Sequence, residues 1–369
     1  MVRVKASQLV TPSEIISNGI IEFDETTGLI TGIHSSGDAD VVFDGVLIPG
    51  FVDIHCHGGG GFSFDDPSNV KNAADFHLKH GTTAVLASLV SAPVAKQIEL
   101  LKALKPFAND GTIAGAHFEG PFLSGAKCGA QNPAVLTAPN SEDVENIISA
   151  SDGVLKLITI APELENAIGS IKRFVGAGVT VALGHSDANS DEATIGVNAG
   201  ATVVTHLFNA MRSLHHRESS LADVSLTDDR LSVELITDGK HVGDLSIQLA
   251  HKAKGRKVIA ITDAISAAGM PDGDYDLGGM KVTCADDVAV IAGTSTLAGS
   301  TLNMERVFSR LVSVYGFDLV EAAWACSTAP AKAIGLNTGA LEIGKKADFI
   351  LWNNSINSVY KNGCLVHKN

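Results

Sequence analysis

The chain has 369 residues, 45% of them hydrophobic and 18% charged, with a formal net charge of −14. That acidity argues against a nucleic-acid or anionic-membrane surface, both of which are bound through basic patches, and no apolar run reaches the roughly 18 residues of a membrane helix. Five cysteines without a C-x-x-C pair suggest neither a disulfide framework nor a cysteine zinc site. The first residues lack the basic, apolar and small-residue order of a secretion signal, so the expected location is the cytoplasm.

Residues 1–48 hold short alternating runs such as Gly19-Ile20-Ile21-Glu22-Phe23, separated by turn residues, and the same pattern returns from about residue 337. Neither end could bury a core alone, so residues 1–48 and 337–369 are predicted to pair into one small β-sandwich domain. Residues 51–57 then form an apolar strand ending His55-Cys56-His57. Alternation puts both imidazoles on one side, where they can reach one metal ion. Gly58 to Gly61 follow without a Walker-type lysine, and read as a flexible loop.

Further on, helical stretches (69–80, 94–107, 141–150, 164–177, 191–199, 245–254) alternate with strands at 82–89, 113–119, 155–163, 179–187, 202–209, 231–241 and 258–263. Eight strands separated by helices of this length imply parallel pairing and a (β/α)8 TIM-like barrel over residues 49–336. In that architecture catalytic groups sit at the C-terminal strand ends. Those ends carry His55, His57, Glu119, His185, His206 and Asp263, the candidate metal ligands. Imidazole with carboxylate suits Zn2+, with Fe2+, Mn2+ or Co2+ as alternatives. His77, His80, His215, His216 and His251 fall in helices or loops and are expected at the surface. Lys156 lies at the start of its strand, away from the catalytic face.

The run Pro49-Gly50-Phe51-Val52-Asp53-Ile54-His55-Cys56-His57 resembles the opening signature of the amidohydrolase superfamily, metal-dependent hydrolases on this barrel. Within it, His117-Phe118-Glu119-Gly120-Pro121, Gly184-His185-Ser186, Thr205-His206-Leu207-Phe208-Asn209-Ala210-Met211, Asp238-Gly239-Lys240-His241 and Thr262-Asp263-Ala264 resemble the N-acetylglucosamine-6-phosphate deacetylase family. The resemblance implies that Glu119, His185 and His206 hold the principal metal, that His55 and His57 give capacity for a second, and that Asp263 is the catalytic carboxylate. It further implies an amino-sugar phosphate as substrate, held by the Asn209 and Ala210 amides and by His241, and a homodimer in which Arg217 reaches the neighbouring site. Gln131 stands where the family commonly has histidine; its amide can still donate to the acyl oxygen or a sugar hydroxyl, but it cannot become cationic. Two other readings stay open: another amidohydrolase acting on N-acyl amino acids or cyclic amides, and a barrel scaffold without activity.

Overall fold

The computed structural model describes residues 1–369. Its central feature is eight βα repeats: β1 Phe51–Cys56, α1 Val70–Lys79, β2 Thr82–Leu89, α2 Val94–Asn109, β3 Gly115–Glu119, α3 Ser141–Ser151, β4 Leu155–Ile160, α4 Ala167–Gly176, β5 Thr180–Leu183, α5 Ser190–Asn198, β6 Val203–Val204, α6 Leu221–Thr227, β7 Ser232–Ile236, α7 Asp244–Lys254, β8 Val258–Ile261 and α8 Met304–Ser313. The strands lie in one sheet in the order β8-β7-β6-β5-β4-β3-β2-β1. Parallel strands covered by crossover helices are buried on both faces and read as unbroken apolar runs; all eight residues of β2 are buried, as are all six of β1. The sheet closes where Cys56 bridges Ala264 in parallel register and the Asp263 N–H donates to the His55 carbonyl at 2.9 Å. The predicted (β/α)8 barrel is the observed one.

The helices α6 and α8 lay outside the predicted set. Their starts carry local signals: Ser220 caps α6 and forms a capping box with Asp223, and the Asn303 side chain accepts from the Arg306 N–H at the start of α8. Several strands are shorter than their sequence runs. The run 202–209 contributes only Val203–Val204 to the sheet, because His206, Phe208 and Ala210 have φ of +28°, +79° and +47°, which no ladder accommodates. Gly58–Gly61, expected to be a flexible loop, opens a tight hairpin: Gly58–Gly59 pairs with Phe62–Ser63. Its turn needs glycine, with φ +64° at Gly60 and +88° at Gly61.

Between β8 and α8 the chain inserts a three-stranded antiparallel sheet, Gly273–Leu277, Met280–Ala285 and Val288–Ile291. The Gly278-Gly279 pair between alternating runs is its sequence signal. Its inner face packs Leu277, Val282 and Ala289 against Val90, Ile265 and Ala298.

The chain divides into two compact units, Met1–Asp53 with Asp75–Val85 and Asn303–Asn369, and Ile54–Ala74 with Leu86–Leu302; the division falls inside β1, α1 and β2. In the first unit, strands from both ends of the chain share one sheet. Val41–Pro49 pairs in parallel with Val2–Val10 and antiparallel with Phe349–Trp352. The sheet curls on itself: Ile30 at its edge accepts from the Gly344 N–H and donates to the Lys345 carbonyl, both at 2.8 Å. The enclosed core holds Val4, Leu9, Ile21, Phe23, Leu47 and Phe349, with Phe23 and Phe349 ring centroids 5.7 Å apart. Each such side chain contributes about 1.5–3 kcal/mol through burial. No helix is long and apolar enough to cross a membrane.

Candidate metal centre

Glu119 is the last residue of β3 and only 3% exposed. Four imidazoles converge on it. His185 and His206 place Nε2 at 2.9 and 3.1 Å from its Oε1, and His57 places Nε2 at 3.1 Å from Oε2. His55 Nε2 lies 3.5 Å from Oε1. Asp263 Oδ1 is 3.4 Å from both His55 Nε2 and His57 Nε2. All six candidate ligands read from the sequence therefore fall in one contiguous cluster. His117, two residues before Glu119 and on the same side of β3, stays one layer deeper: its nitrogens are held by Ser88 Oγ at 3.0 Å and Thr159 Oγ1 at 2.9 Å, and burial keeps its ring neutral.

The two histidine pairs are positioned by different means. Strand alternation, carried one residue past the end of β1, turns His55 and His57 inward. His185 and His206 sit just past β5 and β6 with φ of +46° and +28°, a left-handed backbone uncommon outside glycine that swings each ring over the barrel mouth. Asp263, at φ +51°, follows β8 in the same way.

The outer ring nitrogens settle which inner ones carry lone pairs. His57 Nδ1 lies 3.2 Å from the Ser88 carbonyl, His185 Nδ1 2.9 Å from the Lys127 carbonyl, and His55 Nδ1 3.0 Å from Glu234 Oε2. These oxygens accept, so each Nδ1 carries a proton, and any of these rings that is neutral turns a bare Nε2 to the centre. Yet His55 and His57 Nε2 are 3.2 Å apart, and His185 and His206 Nε2 3.0 Å apart. Lone pairs at that distance, around carboxylate oxygens, need positive charge between them. Counting the protein's own charges, the need appears as bound protons: burial lowers His57, but the Asp263 and Glu119 carboxylates outweigh it and raise its pKa to about 9. Glu119 shows the converse, since burial raises it while His55, His185 and His206 hold it well below the carboxylate range. The donor set fits a divalent cation, through Glu119, His185 and His206 on one side and Glu119, His55 and His57 on the other.

The centre opens into a cavity of about 290 Å³ lined by Gln131, Asn209, Ala210, His241, Asp263 and Thr296, among others. Gln131 is buried, its Nε2–H donating to Glu119 Oε2 at 2.6 Å and its Oε1 accepting the Ser91 N–H at 2.7 Å. The Asn209 N–H is spent on the His206 carbonyl at 2.9 Å. His241 Nδ1 pairs with Asp238 Oδ2 at 2.7 Å; burial lowers the ring's pKa, and Asp238 with Asp263 more than offsets this, leaving it raised. Arg217 does not line this cavity and stands in the exposed loop 213–219. His77, expected at the surface, is fully buried, because its helix α1 turns that face inward. Two buried residues of the centre escaped the sequence reading, Ser88 and Glu234. Glu234 had a signal, a carboxylate in the middle of the apolar run Val233-Glu234-Leu235-Ile236.

The model of the Amidohydrolase family matches residues 46–367. The chain belongs to the amidohydrolase family. Among its relatives is the N-acetylglucosamine-6-phosphate deacetylase of Vibrio furnissii, to which this amidohydrolase is 33% identical over 94% of its own length and 90% of the relative's. An N-acetylgalactosamine-6-phosphate deacetylase of Escherichia coli O157:H7 is also 33% identical, over 83% of each chain. Among solved structures, a mutant N-acetyl-D-glucosamine-6-phosphate deacetylase from Mycobacterium smegmatis, in complex with N-acetyl-D-glucosamine-6-phosphate, superposes with a TM-score of 0.96 at 34% identity over 99% of both chains.

Proposed function

We propose that this chain hydrolyses N-acetyl-D-glucosamine 6-phosphate to D-glucosamine 6-phosphate and acetate. The observation that carries the reading is the cluster of Glu119, four imidazoles and Asp263 at a cavity that His241 and Ala210 also line, in a chain similar to amino-sugar-phosphate deacetylases over most of its length.

In this reading Glu119, His185 and His206 hold the principal divalent ion, Zn2+ by donor type, and His55 and His57 share Glu119 with a second. Such an ion, when bound, polarises the acyl carbonyl and lowers the pKa of water to about 7. Asp263, beside His55 and His57, would be a further ligand; it takes the proton of the attacking water and returns it to the amine nitrogen as the C–N bond breaks. An acidic chain needs local donors for a phosphate dianion. The Ala210 amide and a cationic His241 supply them from within; the Ala210 N–H is not engaged by another backbone carbonyl, whereas the Asn209 N–H would have to leave the His206 carbonyl to join them. Arg217 supplies the rest from a second copy in a homodimer, a role its exposure outside its own cavity supports. Gln131 keeps one amide N–H on Glu119 and turns the other toward the substrate's acyl oxygen or a sugar hydroxyl. Five free cysteines support a reducing, cytoplasmic setting.

The test is acetate release from N-acetylglucosamine 6-phosphate, its C4 epimer N-acetylgalactosamine 6-phosphate, and unphosphorylated N-acetylglucosamine. Preference for the phosphorylated glucosamine derivative is expected. A preference for the epimer moves the substrate assignment, and equal rates with and without phosphate remove the phosphate site.

A further inference from the structure

Glu234 lies in the interior of β7 and is fully buried. A carboxylate there is costly unless charged or hydrogen-bonded partners offset its lost hydration. Its side-chain partner is His55, whose Nδ1–H donates to Oε2 at 3.0 Å. The same oxygen accepts the backbone N–H of His206 at 3.2 Å, while Oε1 has no hydrogen-bond partner. Of the four imidazoles at the centre, His57 and His185 rest their outer nitrogen on neutral carbonyls and His206 Nδ1 has no partner. Only His55 is backed by a carboxylate.

A carboxylate behind a ligating imidazole fixes its tautomer and raises its basicity. Here one oxygen does this for His55 and also holds the amide of His206, whose left-handed backbone (φ +28°) needs such an anchor. The two contacts are unequal: the link to His55 is to the ring that would bind an ion, the link to His206 only to its main chain.

We propose that Glu234 is a positioning residue that gives the His55–His57 side of the centre its cation affinity. The inference rests on the two-ion reading of the site. Glu234 supplies a negative charge directly behind His55, so its loss falls first on the ion held by His55, His57 and Glu119. The ion held by Glu119, His185 and His206 keeps its ligands and their outer contacts.

The experiment is Zn2+ binding by equilibrium dialysis with metal analysis, on wild type, Glu234→Gln and Glu234→Asp. Glutamine keeps the shape and one acceptor but not the charge. Wild type is expected to take two ions per chain. Glu234→Gln is expected to hold the first unchanged and to bind the second about 10- to 100-fold more weakly, with partial recovery in Glu234→Asp. Two ions bound by Glu234→Gln with wild-type affinities, or both steps weakened equally, overturn the role of Glu234 while leaving the two-ion reading in place. A wild-type chain that saturates at one ion sinks the two-ion reading and this proposal with it. If the variants do not fold, the Zn2+-loaded wild type labelled with 15N-histidine decides: His55 protonated on Nδ1 is expected, and protonation on Nε2 overturns the proposal.

Discussion

The two histidine pairs that meet at Glu119 look alike at the centre and are made in opposite ways. His55 lies on a regular strand and His57 one residue past its end, two positions apart, so that the pleat turns both inward. His185 and His206 come from separate strands and reach the same point through strained left-handed backbone. The first pair is a local motif. The second is a product of the barrel's curvature, which turns the residues after β5 and β6 toward Glu119 at the end of β3, two and three strands away. A metal site built this way joins one element that is right by construction to others that must be held in place, and the holding contacts (Glu234, the Lys127 carbonyl, Gln131) lie outside the ligand set.

The largest expected effect tests the group that belongs to neither pair. Asp263→Asn should lower kcat by roughly 10²- to 10⁴-fold with at least one ion retained per chain; near-normal turnover would remove Asp263 from proton transfer. Gln131→Leu frees Glu119 Oε2, the oxygen facing His57, and should weaken cation binding about 10- to 100-fold, as outer-sphere changes do. If metal analysis finds affinity unchanged, the amide is not holding the shared carboxylate. Arg217→Ala leaves both pairs untouched and should raise KM for the phosphorylated sugar on the order of tenfold, through loss of a charge-assisted hydrogen bond, at constant metal content. A KM equal to wild type would place Arg217 outside the site.

The smallest effect is a pH dependence. His241 has a pKa raised above its ordinary 6.5, so its cationic form predominates at and below 6.5 and is lost as pH rises through the raised value. KM for the phosphorylated substrate should therefore rise severalfold on the alkaline side, and the rise should be absent with unphosphorylated substrate. A KM flat across that range argues against a cationic His241 at the phosphate.

Much of this was readable in one dimension because the physics is local. Apolar runs of β-branched residues alternating with amphipathic stretches specify parallel strands and crossover helices, and polar residues at the ends of those runs mark the catalytic rim. His55, His57, Glu119, His185, His206 and Asp263 are legible on those grounds. Strand ends were overread, most of all at 202–209, where an apolar pattern continues through residues whose φ is positive and which belong to the loop. The inserted sheet at residues 273–291 was missed although Gly278-Gly279 marks its turn.

Contacts across the barrel were beyond such reading. Nothing near Glu234 in the chain indicates His55, 179 positions away, and nothing near Gln131 shows that its amide is tied to Glu119 and Ser91. Periodicity reports which way a side chain faces, since that depends on neighbours in sequence. Which atom it meets depends on register and closure of the whole sheet, and these are set by the packing of all eight strands together.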